Sequence, residues 1–254
     1  MMKRIFAILL LGLLSCQSPK KQQLTVAVAV AANMQYTIKE LIAEFNKTDN
    51  TEIEVITGAS GNLTQQIMGG APFDIFVSAD EQYPQELADK GFTLEAPKVY
   101  AQGQLVLWSA RPGIEPQSDL QLLLNDSIKR IAIANPETAP YGHAAVSLLE
   151  KYGLYDKVQS KLVKGESITQ ASQFIATQNA DIGFTAKAIV VSREMEGKGK
   201  WVDLNGNDYP AIEQSAALLK HAQQSNETAA RKFYGFLYSA EAKAIYQKFG
   251  YLVK

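Results

Sequence analysis

Four short stretches carry the residues best equipped for chemistry, and each lies where a helix is expected to begin. "AAN" ends at Asn33, a strong N-cap type, and "GASGN" offers Ser60 between Gly58 and Gly61. "NPETAPYGH" (135–143) brings Tyr141 to the mouth of a third helix, and "ESITQ" sets Ser167 and Gln170 at capping-box spacing before a fourth. Any one of these is accounted for as an ordinary cap. Four together form a set of N–H and O–H donors at helix starts, where each helix adds roughly half a positive charge. That chemistry is the binding of an anion. The lysine of a phosphate-cradling P-loop is absent from "GASGN", so donors and dipoles must stand in for a counter-ion.

The elements that must position these residues alternate between strand and helix. "LTVAVAVAAN" (24–33) is a continuous small-apolar run, the pattern of a strand buried on both faces, and Met34, Ile38, Leu41, Ile42 and Phe45 follow at helical spacing. "EIEVIT" alternates as a strand, "NLTQQIMGG" reads as a helix, "FDIFVSAD" as a buried strand and Gln82 to Lys90 as a helix. After "GQLVLWSA" (103–110) the alternation restarts, with "RIAIAN" and "ADIGFTA" as strands and "GHAAVSLLEKYG" and "SITQASQFIATQ" as helices. "SAALLK" and two closing helices end the chain. The pattern predicts α/β architecture with mixed, mostly parallel sheets flanked by helices. We expect two lobes, residues 24–104 plus 212–254 and residues 105–211, with the chain crossing near Gln104 and returning near Ala211. In such sheets ligands bind beyond the carboxyl ends of the strands, which places the four junctions on a cleft between the lobes.

The N-terminus bears on location. Lys3 and Arg4 precede an apolar run from Ile5 to Leu14, too short to span a bilayer but suited to a secretory signal. "LLSC" resembles the lipobox of bacterial lipoproteins, so residues 1–15 are expected to be a signal peptide, Cys16 the lipidated first residue, and 16–23 a polar tether. The expected place is the periplasm, on a membrane through the lipid. Cys16 is the only cysteine, which leaves no internal disulfide and no cysteine chemistry in the mature domain. A net charge of −1 gives no reason to expect nucleic acid.

Other chemistries fit less well. Ser60, His143 and Asp80 could be drawn as a triad, but "GASGN" is not the G-x-S-x-G elbow, and His143 falls in the first turn of a helix. His143 and His221 lack ligand-type spacing for a metal, and Asp74 and Asp80 are expected to brace loops. Phe233, Tyr234, Phe236 and Tyr238 recur too closely for one face and read as core plus lobe seam. No catalytic residue, cofactor or directly ligated metal is expected.

"AVAANMQ", "GASGNLTQQIMGGAPFDIFVSAD", "LVLWSA", "IAIANPETAPYG", "KGESITQASQFIATQNADIGF" and "FLYSAEAKAIYQKFGY" together resemble the periplasmic molybdate-binding proteins, the ModA family. The resemblance covers the chain from residue 24 onward. It implies the two-lobed type II periplasmic-binding fold, a monomer, and delivery of molybdate or tungstate to the permease and ATPase of an ABC transporter. It also implies a donor set: the Ser60 hydroxyl, Asn33 where other members have serine, the Tyr141 main-chain N–H at the P-x-G position, and the Ile168 N–H. Ala186 in "GFTA" departs from the family, where many members have a tyrosine, and the Tyr141 hydroxyl is the candidate to replace that donor.

The choice of anion follows from protons. Molybdate near neutral pH is a deprotonated tetrahedral dianion whose oxygens only accept, whereas phosphate usually keeps a proton that needs an acceptor. None of the four loops puts Asp or Glu at a proposed ligand position, and Glu166 is expected to face solvent. The sequence therefore favours molybdate, tungstate or sulfate over phosphate. A sulfate-binding protein and an oxyanion sensor without a transport role both stay open.

Overall fold

The computed structural model describes residues 25–253. The expected signal peptide (1–15), Cys16 and the whole of the expected tether (16–23) fall outside the described residues. Two five-stranded sheets make up the molecule. The first is built from β1 (Thr25–Ala31), β2 (Glu52–Gly58), β3 (Ile75–Val77), β4 (Lys98–Gly103) and β10 (Ile212–Leu218), in the order β2-β1-β3-β10-β4. The second is built from β5 (Leu105–Ser109), β6 (Ile131–Ala134), β7 (Leu162–Gly165), β8 (Ile182–Ala186) and β9 (Lys200–Asp203), in the order β7-β6-β8-β5-β9. The two orders match position for position. In each sheet the first three strands run parallel and the fourth, β10 or β5, is antiparallel to both its neighbours. The chain leaves the first sheet through Gln104, between β4 and β5, and re-enters it between Asp203 and Ile212.

Helices cover both faces of each sheet. They are α1 (Thr37–Phe45), α2 (Ser60–Met68), α3 (Gln82–Asp89), α4 (Pro140–Lys151), α5 (Tyr155–Val158), α6 (Ile168–Ala176), α7 (Lys187–Val190), α8 (Glu227–Phe236) and α9 (Ala240–Lys248). The sequence of β1 shows how a doubly covered strand is sorted. Val26, Val28 and Val30 pack into the cluster with α1, α8 and α9, while Ala29 faces the cluster of Leu63 and Ile67 on α2. Small residues on that second face let α2 lie close to the sheet. In β6 the division repeats, with Ile131 and Ile133 in one cluster and Ala132 in another with Ala171 and Ile175 of α6. Phe233 and Tyr234 are buried in the core of the first lobe, where Phe233 meets Phe45 edge-on at 5.1 Å.

A buried aspartate stands at the entry to the third strand of each sheet. Asp74 precedes β3; it accepts from the Ala27 N–H at 2.9 Å, from Ser225 Oγ, and contacts the His221 ring at 2.8 Å. Asp181 precedes β8; one oxygen accepts the N–H groups of Lys129 and Arg130 at 2.7 and 2.8 Å, and the other meets the Arg111 guanidinium at 2.8 Å. These carboxylates tie the loop entering one strand to its neighbours, and their hydrogen bonds are what let both be buried. Asp181→Ala leaves two main-chain donors without their acceptor and should cost about 3 kcal/mol. Differential scanning calorimetry should show a fall in Tm of several degrees, with anion affinity unchanged, because Asp181 is remote from the cleft.

Candidate functional site

The parallel strands β1, β2, β3, β6, β7 and β8 end toward the seam between the lobes, so the helices that follow them begin there. The N-termini of α2, α4 and α6 and the 3-10 turn Ala32–Met34 line a small, nearly filled pocket of about 10 Å³. Asn33, Ser60, Tyr141 and Ile168 all line it, together with alanines and Pro140, and no Lys, Arg, His, Asp or Glu does. Wider grooves open elsewhere, one beneath the 190–199 loop and one beside His143, and both are lined by carboxylates, with Arg193, Lys198 and Lys248 in the first.

Each contributor is fixed by its local sequence. Ser60 is the first residue of α2, and its Oγ accepts from the Ala79 N–H at 3.1 Å, which anchors the oxygen and leaves its proton to donate. Ile168 is the first residue of α6, capped by Ser167, whose side chain accepts from the Gln170 N–H; Gln170 Oε1 in turn accepts from the Glu166 N–H. Its own N–H has no acceptor within the helix, so an apolar side chain is no obstacle to a donor role. Pro140 opens α4 without a donor, which makes Tyr141 the first residue there able to offer an N–H. Gly142 is required for close seating, since a Cβ would lie 2.3 Å from the Ala134 carbonyl oxygen. Glu166 is exposed, as its place at a helix start predicts.

The lobes are joined around this pocket. The Gly61 N–H donates to the Thr138 carbonyl at 2.9 Å, Tyr83 Oη to the Glu137 carbonyl at 3.2 Å, and Thr169 Oγ1 to the Ala32 carbonyl at 3.1 Å. Behind the pocket runs a buried polar network. Asn33 Nδ2 lies 3.0 Å from Gln214 Oε1 and 3.0 Å from Tyr251 Oη, while Asn33 Oδ1 is buried without a protein partner. Gln214 Nε2 is 3.0 Å from Tyr141 Oη, and Tyr100 Oη is 2.8 Å from Gln214 Oε1 and 3.0 Å from the Ser78 carbonyl. Burial pushes the phenols of Tyr100, Tyr141 and Tyr251 upward, so all three stay protonated near neutral pH.

The Tyr141 hydroxyl has a protein partner of its own. The Tyr141 hydroxyl is engaged by Gln214 at the hinge, where a Cβ on Gly103 would lie 2.1 Å from it; neither Gln214 nor Gly103 lines the pocket, and Ala186 does not either. The Tyr141 main-chain N–H, in the first turn of α4, has no acceptor within the helix. Ser60, His143 and Asp80 form no triad: Ser60 Oγ is held by Ala79, Asp80 Oδ1 by Ser78 and the Tyr83 N–H, and His143 is exposed on the outer groove. Burial raises the Asp80 carboxyl pKa, and its hydrogen bonds keep it turned away from the pocket lining. Gln214 escaped the reading of the sequence; an uncharged polar residue in a strand as apolar as "SAALL" was the available signal.

A model of the bacterial extracellular solute-binding proteins matches residues 26–252. The molybdate-binding protein ModA of Azotobacter vinelandii is 38% identical over 253 residues, covering 98% of this chain and 97% of that one. ModA of Rhodobacter capsulatus is 38% identical over 230 residues, covering 90% and 88%. The solved structure of the Azotobacter vinelandii periplasmic molybdate-binding protein superposes with a TM-score of 0.85 at 34% identity, over 90% of this chain and 99% of that one. The two-lobed type II periplasmic-binding architecture expected from the sequence is the one observed. This chain belongs to the bacterial extracellular solute-binding protein family, in its ModA branch.

Proposed function

We propose that this protein captures molybdate, and tungstate with it, in the cleft between its lobes and delivers the anion to the permease and ATPase of an ABC transporter. The observation that carries this reading is the composition of the pocket: three helix N-termini, a serine hydroxyl, and no charged side chain of either sign. A protonless tetrahedral dianion is matched by a lining made of donors. The names of the relatives point the same way. Asn33, Ser60, Tyr141 and Ile168 are the ligand residues, with the N–H groups of Tyr141 and Ile168 and the Ser60 hydroxyl as donors. Residues 24–104 with 212–254 form one rigid body and 105–211 the other, closing on the anion. The protein acts as a binding subunit, a monomer without catalytic residues. It is secreted through residues 1–15, carries lipid on Cys16 and works from the periplasmic face of a membrane.

Isothermal titration should show one molybdate or tungstate bound per chain and negligible heat with phosphate. A ligand at a hundred times its Kd adds about 2.7 kcal/mol of stability, so a thermal shift should follow the same order. Equal stabilisation by phosphate would contradict a lining made only of donors. Ser60→Ala removes a hydrogen bond to a charged group and should weaken molybdate binding about ten- to a hundredfold, whereas His143→Ala should leave it unchanged. The reverse pattern in calorimetry would move the site to the outer groove. Cys16→Ser should release the protein from the membrane fraction or block its processing; normal maturation with an unchanged distribution on fractionation would rule out lipidation.

A further inference from the structure

The network behind the pocket does not balance its protons when each amide is read in one direction. Tyr100 has a single hydroxyl proton, yet it lies within hydrogen-bond distance of two carbonyl oxygens, Ser78 O at 3.0 Å and Gln214 Oε1 at 2.8 Å, and that proton can stand between only one of these pairs. Asn33 Oδ1 meanwhile is a buried acceptor with no protein donor, on a residue that lines an otherwise donor-only pocket. Turning an amide by half a turn about its last bond keeps its outline and exchanges its oxygen and nitrogen. If both Gln214 and Asn33 are turned, each group of the network except the Asn33 NH2 finds a partner. Tyr100 donates to Ser78; the two Gln214 N–H groups donate to Tyr100 Oη and Asn33 Oδ1; Tyr141 donates to Gln214 Oε1; Tyr251 donates to Asn33 Oδ1. The orphaned atom of Asn33 becomes its NH2 group, with both hydrogens available.

We propose that Gln214 is a positioning and specificity-determining residue, which fixes the direction of the Asn33 amide so that this amide presents donors, and no acceptor, to the bound anion. This rests on the reading of the pocket as an oxyanion site. The fold has placed Gln214 for the task. It is fully buried in β10, beside a bulge in the β10–β4 ladder between Gln214 and Ser215, and bulges re-aim side chains. It reaches across the hinge to Tyr141 of the second lobe, and Gly103 leaves the room for both groups: a Cβ there would lie 2.5 Å from Gln214 Nε2 and 2.1 Å from Tyr141 Oη. The Tyr141 hydroxyl thereby acts on the anion through two amides, and only when the lobes are together. Selectivity follows from the same geometry. An Asn33 oxygen turned to the pocket would repel molybdate and would accept the proton of hydrogen phosphate.

Side-chain amide resonances of the 15N-labelled protein test the direction before any anion is added. The Gln214 NH2 pair should be strongly protected from hydrogen exchange and the Asn33 pair at least about tenfold less so, since only the former has two protein acceptors. Molybdate should then shift and protect the Asn33 pair and leave the Gln214 pair in place. An Asn33 pair already protected without anion overturns the proposal, whether or not molybdate binds; a wild-type protein that binds no oxyanion at all sinks the molybdate reading instead. Gln214→Met, of similar length but without donor or acceptor, should raise the molybdate Kd about tenfold or more and narrow the preference over phosphate. An unchanged molybdate Kd, or an equal loss for both anions, would show Gln214 to be a packing residue only. Melting of the unliganded variant, followed in parallel, confirms that the comparison is made on folded protein.

Discussion

A doubly charged anion taken out of water without a counter-ion is the constraint on which the rest depends. Desolvation of such a charge is costly, and a lining free of lysine and arginine can offset it only with fixed dipoles and hydrogen-bond donors. Helix N-termini supply both at once, but one helix start gives too few donors. Several must converge on one point. Parallel strands followed by helices provide them at the carboxyl edge of a sheet, and two such edges facing each other double the supply. The paired sheets, their identical strand orders and the two chain crossings are the arrangement that brings α2, α4 and α6 to a common pocket.

Neutral recognition also explains why so much polar structure is buried behind the pocket. A lysine recognises an anion whatever its own orientation; an amide does so from one end only. On the proposed reading the direction of Asn33 has to be held, and Gln214, Tyr141, Tyr100 and Tyr251 are linked to it by hydrogen bonds from both lobes. Under the same proposal closure and recognition are one event, with the Tyr141 main-chain N–H offered to the anion and its hydroxyl bonded to Gln214.

Much of this was legible in the sequence, for identifiable reasons. Strands buried on both faces, such as "LTVAVAVAAN" and "RIAIAN", announce themselves as continuous apolar runs, and the proposed donors at Asn33, Ser60, Tyr141 and Ile168 lie at junctions marked by cap and glycine chemistry. The strands that escaped were β4, β7 and β9, each at the edge of its sheet, short, and mixed in polarity as in "KVYAQG", "LVKG" and "KWVD". An edge strand has one neighbour and a half-exposed side, so its composition approaches that of a loop. "FDIFVSAD" contributes only Ile75–Val77 to the sheet, because Asp74 serves as a brace and Ser78 begins the next turn. Gln214 and the employment of the Tyr141 hydroxyl depend on contacts across 73 positions of sequence, which no local pattern records.

The most direct test of a pocket made of donors alone is a crystal structure of the protein with molybdate at a resolution that fixes each oxygen. Every molybdate oxygen should lie within hydrogen-bond distance of N–H or O–H groups from Ser60, Tyr141, Ile168 and the Asn33 turn, with no charged side chain in contact. Molybdate found beside His143 in the outer groove, or touched by a lysine, arginine or carboxyl group, would contradict it.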